Sequence, residues 1–243
     1  MSTLGRLKTL YHLTLSPIRG ETHEQRLESF YKNQAVDYDD FRERLLHGRD
    51  ELFAAIPVTE GQNWIDLGAG TGRNAERFGE RLQKFSSVQL VDLSPSLLEV
   101  TRQRIDQQGW PNVTAVHADA TTFDPPDGSV DLVTFCYSLT MIPNWFAAVE
   151  NAWRMLKPGG ILGVVDFYVS HKYPDPDQIR HSWFQRTFWP TWFAMDNVFL
   201  SPDHLSILRS RFNVISTEER TGKVPWIPLL AAPHYIFVGQ KPK

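Results

Sequence analysis

The chain has 243 residues, 42% of them apolar and 22% charged, enough for one large domain or a domain with appendages around an ordinary core. A net charge of −3 argues against nucleic-acid binding by bulk charge, and no uncharged apolar run approaches the ~18 residues that span a bilayer. The single cysteine, Cys136, rules out an internal disulfide and suits a reducing compartment.

The opening stretch, MSTLGRLKTLYHLTLSPIRG, is interrupted by Arg6, Lys8 and His12, so it reads poorly as a secretory signal. Leu4, Leu7, Leu10 and Tyr11 share a helical face there, and Arg6, Lys8 and Arg19 supply positive charge, a pattern that suits a segment lying on an anionic membrane. Residues 21–56 read as helical, with Leu27, Phe30, Tyr31, Phe41, Leu45 and Leu52 at helix-like spacing. From Trp64 short apolar runs alternate with amphipathic stretches. NWIDL predicts a strand, GRNAERFGERL a helix, SVQLVDL a strand, and SPSLLEVTRQRIDQQ a helix with Ser94 as N-cap, Pro95 as first residue and Gly109 as stop. VTAVHAD and VDLVTFCYSL predict a third and a fourth strand, WFAAVENAWRMLKPGG a helix ended by Pro-Gly-Gly, and ILGVVDFYV a fifth strand. Strands separated by helices imply a parallel α/β sheet covered on both faces. A helix is predicted to start near Asp177 and to end or kink at Pro190. FNVISTEERTG and HYIFVGQK predict two further strands paired as a hairpin.

In a doubly wound sheet, ligands sit outside the carboxyl ends of the strands. Asp66 and the loop with Gly68, Gly70 and Gly72 follow strand one, Asp92 and Leu93 end strand two, Asp119 and Ala120 follow strand three, and Cys136, Tyr137 and Ser138 follow strand four. A glycine turn feeding a helix offers backbone N–H groups and a close approach, and an ionised carboxylate can accept both hydroxyls of a ribose. Together they imply a nucleoside ligand. The dinucleotide pattern G-x-G-x-x-G fails here, because Arg73 stands where its third glycine would be, and a Walker-type loop is absent. The acids also have a plainer use as helix caps or turn residues, and Cys136 as a small buried hydrophobe.

DLGAGTG resembles the glycine motif of class I S-adenosylmethionine-dependent methyltransferases, and the match extends through Asp92, Asp119-Ala120 and MLKPGGILGVVD, over roughly residues 60–170. That resemblance implies a Rossmann-like seven-stranded methyltransferase sheet over residues 57–243, with an N-terminal helical lid over residues 1–56 and an aromatic-rich acceptor-side insertion over about 168–205. It implies S-adenosyl-L-methionine as cofactor and S-adenosyl-L-homocysteine as product. Gly68, Gly70 and Gly72, beside Asp66, would line the methionine part. Asp92 would hold the ribose, Asp119 the adenine amino group, and Ala120 would donate a backbone N–H to the ring, with Leu93 and Cys136 alongside. Tyr31 and Tyr38 would sit on the lid, and Arg49 would pair with the methionine carboxylate; packing tyrosines and a solvated arginine are the plainer alternatives.

A second resemblance runs nearly end to end. CYSLTMIPNWF, VVDFYVS, HSWFQRTFWPTWF, FLSPDHLSILRSRF and GKVPWIPLLAAPHYIFVGQK, with LSPIRGETHEQRLESFYKNQA before them, are similar to the bacterial betaine-lipid N-methyltransferases. These trimethylate the amino group of diacylglyceryl-homoserine to give diacylglyceryl-trimethylhomoserine. The resemblance implies a diacylglycerol-based substrate, peripheral attachment to the cytoplasmic face of the membrane, association with the enzyme that builds the homoserine head, and no nucleic-acid partner. It carries no metal: the histidines are scattered and there is no H-E-x-x-H motif. Tyr137, with Tyr31 second, is the candidate to take or relay the amine's proton. Tyr168, Trp183 and Trp189 are candidates to surround the methylated cation, while the same aromatic insertion also suits a lipid interface or an ordinary core. A soluble amine or a quinone precursor as acceptor, and a non-catalytic cofactor-binding scaffold, are the alternatives.

Overall fold

A computed structural model describes residues 20–31, 44–126, 128–225, 227 and 230–243, with the side chains of Phe30 and Tyr31 outside that description. The predicted amphipathic segment of residues 1–19 and Tyr38 lie outside the described residues.

Among the described residues, two short helices, α1 (His23–Tyr31) and α2 (Arg49–Ala55), precede strand β1 (Asn63–Leu67). The chain continues through a 3-10 segment (Arg73–Lys84), β2 (Ser87–Asp92), α3 (Pro95–Gln108), β3 (Val113–His117) and β4 (Val130–Cys136). A 3-10 turn (Leu139–Met141), α4 (Trp145–Met155), β5 (Leu156–Phe167), α5 (Trp183–Ala194), α6 (Asp203–Arg211), β6 (Asn213–Lys223) and β7 (Ala231–Gln240) complete it. The sheet has seven strands in the order β3-β2-β1-β4-β5-β7-β6. β1 to β5 run parallel, and β7 lies antiparallel to both β5 and β6, so the predicted tail hairpin forms, with its second strand paired to β5 and its first at the sheet's edge. The strand order reverses between β1 and β4, which opens a crevice at their carboxyl ends.

Helices cover both faces. Against one, Phe53, Trp64, Phe78 and Phe85 pack edge-on or tilted with centroids 4.8–6.0 Å apart, a spacing that adds aromatic attraction to area burial. Against the other, Phe135, Val149, Met155, Leu208 and Phe237 are buried. The caps of α3 form as predicted: Ser94 Oγ accepts the Leu97 N–H, and Gly109 closes the helix with φ 62°.

Three predicted boundaries shift. The helix after the glycine loop is 3-10 and broken at Gly79, whose φ of 53° and ψ of −132° interrupt it. α4 stops at Met155, and the Lys-Pro-Gly-Gly run joins β5 across an irregularity in its pairing with β4 rather than ending the helix. α5 starts at Trp183, not near Asp177, because Ser182 and Gln185 form a reciprocal capping box. Pro190 remains inside α5, where buried Trp189 and Phe193 offset the lost backbone bond.

Candidate functional site

The glycine loop turns over the end of β1. Its amides serve the loop itself: those of Gly68 and Ala69 donate to the Val91 carbonyl at 2.9 and 3.0 Å, and that of Gly72 to Ala69 at 3.0 Å. The Gly70 amide donates to Asp92 Oδ2 at 2.7 Å. This corrects the expectation of a donor-rich cradle. What the loop supplies is close approach, which suits a ligand other than a phosphate. Gly68 has φ 77°, and a Cβ there would lie 2.4 Å from Ser138 Cβ, so the backbone is free to bend only as glycine.

The cavity above these strand ends, about 260 Å³, is lined by Arg49, Gly68, Gly70, Asp92, Leu93, Asp119, Ala120, Cys136 and Tyr137, each predicted from sequence. Arg49 is 7% exposed and donates from Nε to the Leu46 carbonyl at 3.1 Å. Asp92 is held at both oxygens, with Oδ1 accepting the Ser94 N–H at 2.9 Å. A carboxylate offers about four acceptor positions, so the clamp also aims this one at the cavity. Asp119 Oδ1 accepts the Thr121 N–H and hydroxyl at 2.8 and 2.7 Å, which makes it a turn former as well as a lining residue. Asn151, reaching from α4, donates to the carbonyls of Ala120 and Phe123 and fixes that turn from behind.

Two predicted ligand residues do not reach the cavity. Asp66 is fully buried below the loop, where Oδ1 accepts from Thr134 Oγ1 at 2.6 Å and Oδ2 from Asn74 Nδ2 at 2.9 Å. Burial raises its pKa to about 6 against those two hydrogen bonds. Its part is to orient Asn74, which does line the cavity. Gly72 packs on α3, where a Cβ would meet Thr101 Cγ2 at 2.8 Å.

Tyr137 lines the cavity, but its hydroxyl donates to the His47 carbonyl at 2.6 Å, and burial holds its pKa well above the ordinary value. It is therefore set as a donor, which counts against it as a proton acceptor in this arrangement. Its φ of 55° is a strained conformation for a tyrosine, at the point where β4 turns into the cavity. The ring rests on Phe167 at 4.6 Å, and Phe167 on Phe193 at 4.4 Å, linking α5 to the cavity wall.

The three rings considered for a cation cage are not brought together. Tyr168 is buried beside Tyr235 and hydrogen-bonds to Glu219. Trp189 is 3% exposed and packs on Phe188 and Phe193, whereas Trp183 is 74% exposed. The aromatic insertion thus divides into a core half and a surface half, because a helix puts successive residues on different faces.

Residues that sequence reading missed come from the glycine loop, the two 3-10 segments, the stretch before α4, and α1. Thr71, Asn74, Met141, Ile142 and Asn144 line the cavity, as do His23 and Leu27, and so does Ser138, which follows strand four in the sequence reading. Glu28 anchors α1 by accepting from Ser94 Oγ at 2.9 Å and Ser96 N–H at 3.3 Å, which sets a carboxylate at the N-terminus of α3. The capping signal at Ser94-Pro95 marks the place where that helix begins, but nothing local marks what docks on it.

Residues 65–160, about two fifths of the chain, match the family described as Methyltransferase domain. Demethylmenaquinone methyltransferase from Listeria welshimeri is 28% identical over 151 residues, covering 60% of this chain and 64% of that protein. The ubiquinone/menaquinone biosynthesis C-methyltransferase from Hydrogenovibrio crunogenus is 31% identical over 155 residues, covering 60% of each chain. This chain therefore spans less than two thirds of the length of these curated relatives. The solved structure of Haemonchus contortus phosphoethanolamine N-methyltransferase 2 in complex with S-adenosyl-L-methionine superposes with a TM-score of 0.70 at 15% identity, covering 94% of this chain and 62% of that one. With the strand order, the glycine loop and the acids at the ends of β2 and β3, these likenesses identify the chain's fold as that of the class I S-adenosylmethionine-dependent methyltransferases.

Proposed function

We propose that the protein is an S-adenosylmethionine-dependent methyltransferase whose acceptor is the amine of a membrane lipid. The observation that carries the cofactor reading is Asp92, buried at the end of β2, clamped by two backbone amides and lining a cavity above the glycine loop. The residues present fit S-adenosylmethionine: Asp92 suits the ribose hydroxyls, the tight Gly68–Gly70 backbone the methionine part, and Asp119 with Ala120 the adenine end. When bound, that cofactor supplies an electrophilic methyl group for in-line displacement by a lone pair. The chain's own contribution is alignment and exclusion of water. Arg49 suits the methionine carboxylate, and His23 and Leu27 of α1 cover the cavity from above.

For the acceptor, a lipid amine such as that of diacylglyceryl-homoserine is supported by the betaine-lipid resemblance, much of which lies beyond residue 160, where the family match stops. It is also supported by the surface half of the insertion. Tyr173, Trp183 and Phe184 are 75%, 74% and 58% exposed, and Lys172 and Arg180 sit over the Tyr173 ring. Exposed rings beside cationic groups suit an anionic lipid interface on the cytoplasmic face of a membrane. Among the described residues no helix is long and apolar enough to cross one.

A quinone precursor is the second reading, favoured by the two curated relatives above, a demethylmenaquinone methyltransferase and a ubiquinone/menaquinone biosynthesis C-methyltransferase. One experiment separates the two. The protein is incubated with labelled S-adenosylmethionine and either total bacterial lipid or a demethylmenaquinone, and the products are resolved by mass spectrometry. The amine reading expects mono-, di- and trimethylated polar lipid; label confined to a single carbon-bound methyl on the quinone would overturn it.

A further inference from the structure

Asp166 stands near the carboxyl end of β5, fully buried, and none of the ion pairs among the described residues includes it. A buried carboxylate without a cation is costly unless hydrogen bonds satisfy it. Here three donors do. Thr140 donates its hydroxyl to Oδ1 at 2.7 Å and its backbone N–H to Oδ2 at 3.2 Å, and the Phe167 N–H donates to Oδ1 at 2.8 Å. Burial raises the pKa of Asp166 to about 7 against these donors. No step of the proposed transfer uses this acid, and an apolar side chain of similar size is the less costly filling for such a place. Local exceptions of this kind concentrate at functional sites.

What the acid holds lies between two regions. On one side is the turn from Ser138 to Ile142, which lines the cofactor cavity through Ser138, Met141 and Ile142. On the other is the insertion after β5, which the proposed function assigns to the acceptor. Thr140 belongs to the turn, and its carbonyl accepts the Phe199 N–H at 2.7 Å, a few residues beyond α5. Phe167, whose amide rests on the same carboxylate, carries its ring against Phe193 of α5 at 4.4 Å. Asp166 thus reaches the end of α5 by two routes, one through a backbone hydrogen bond and one through an aromatic contact. The cofactor side has an anchor of its own, since Ser138 Oγ donates to the Leu67 carbonyl at 2.8 Å. The wall of the cavity therefore holds without Asp166, whereas the Phe199 bond depends on where Asp166 puts Thr140.

We propose that Asp166 is a positioning residue for methyl transfer: by fixing Thr140 it sets the acceptor-side insertion against the wall of the cofactor cavity. In an in-line displacement the reacting atoms must come within about 3–3.5 Å, and a misplacement of about 1 Å can lower the rate about 10²-fold. An insertion held on the turn that lines the cofactor cavity keeps that spacing whatever the acceptor. Asp166 itself does not line the cavity and acts only through Thr140 and Phe167. The inference rests on the methyltransferase reading of the function, but not on the choice between a lipid amine and a quinone.

Three variants test it. Thr140→Val deletes the hydroxyl and keeps the side chain's shape, Thr140→Ser keeps the hydroxyl, and Asp166→Asn keeps the bulk and loses the charge. If Asp166→Asn fails to fold, the two Thr140 variants decide alone. All are compared at pH 8, above the raised pKa of the acid. The first readout is amide hydrogen exchange over residues 195–200 in protein saturated with S-adenosylhomocysteine. Exchange is expected to be about tenfold faster in Thr140→Val and Asp166→Asn, as befits a lost charge-assisted hydrogen bond, and near wild type in Thr140→Ser. Affinity for S-adenosylhomocysteine by calorimetry should stay within about threefold. With labelled S-adenosylmethionine and either total bacterial lipid or a demethylmenaquinone, kcat should fall about tenfold or more in Thr140→Val with KM for S-adenosylmethionine unchanged, and Thr140→Ser should restore it. Wild-type exchange or wild-type kcat in Thr140→Val would mean that Asp166 serves folding alone. A fall in kcat matched by an equal loss of S-adenosylhomocysteine affinity would put the effect in the cofactor wall. Each of these overturns the assignment. Failure of the methyltransferase reading looks different: the wild type transfers no label to either acceptor. Faster exchange over residues 195–200 in Thr140→Val then still supports the joint between insertion and cavity wall, and equal exchange sinks it.

Discussion

Asp92 accepts the Gly70 amide at 2.7 Å, so the side chain that ends β2 closes the glycine loop that follows β1. Thr101 of α3 holds the same residue from the other side, its hydroxyl donating to the Gly70 carbonyl at 2.8 Å. The loop's shape and the acid proposed for the ribose are therefore one unit. Asp92→Ala should lose both functions at once. A charge-assisted hydrogen bond contributes about 1.5–3 kcal/mol, so affinity for S-adenosylhomocysteine should fall at least tenfold by calorimetry. Unchanged affinity in a folded variant would remove Asp92 from the site.

Gly68→Ala meets two separate obstacles. The added methyl would sit 2.4 Å from Ser138 Cβ, and the φ of 77° is costly for any residue with a Cβ. The variant should be less stable by about 1–3 kcal/mol and should bind S-adenosylhomocysteine more weakly. Adding Ser138→Gly relieves the collision but not the torsion, so the double variant should recover only part of the stability in urea unfolding. Full recovery would mean that backbone strain has no part in the loop.

The parallel strands, the caps of α3 and the tail hairpin were legible because each is written locally, in apolar runs, in Ser94-Pro95 and in Gly109. So were the acids at the ends of β2 and β3. Asp66 was not, because its place is decided across the sheet: it stands opposite Thr134 of β4 in register, and Thr134 in turn accepts the Trp64 indole N–H at 2.9 Å. Sequence adjacency to the glycine loop suggests a ligand residue, whereas the neighbouring strand turns it into a support. Pro190 misled for a similar reason, since the packing that tolerates it involves Phe167 and Tyr137, far away in the chain. The joint of Asp166, Thr140 and Phe199 likewise gathers residues that no spacing rule connects.

Trp183 and Trp189 make a matched pair for testing the divided insertion. Trp189 is buried among Phe188, Trp192 and Phe193, and its replacement by alanine should cost about 3–5 kcal/mol of stability. Trp183→Ser with Phe184→Ser touches only exposed rings, so stability should stay within about 0.5 kcal/mol for each change. The double variant should instead release the protein from vesicles containing phosphatidylglycerol, with partitioning down about tenfold, since burying a large apolar side chain is worth about 1.5–3 kcal/mol. Sedimentation with vesicles is the readout. Equal partitioning of variant and wild type would leave α5 without a membrane role.

His204 gives the sharpest pH prediction. It is fully buried in α6, its ring edge-on to Trp145 at 4.5 Å, and neither ring nitrogen has a hydrogen-bond partner among the described residues. Burial holds its pKa down to about 3. In the unfolded chain an imidazole titrates near 6.5. Below about pH 6.5 the unfolded state therefore binds a proton that the folded state refuses, and stability falls as the pH drops. Asp66 and Asp166 run the other way: burial raises their pKa values to about 6 and about 7, so the folded state gains protons first and acid favours the fold. The wild-type curve mixes these opposing effects, and a single substitution separates them. His204→Phe keeps the ring's bulk beside Trp145 and removes only the imidazole titration. In urea unfolding, the stability of the variant relative to wild type should rise between pH 7.5 and pH 5 by about 2 kcal/mol, one proton's linkage below pH 6.5. If the two proteins instead keep a constant gap over that range, His204 is protonated or solvated in the fold, and its burial in α6 does not govern the acid response.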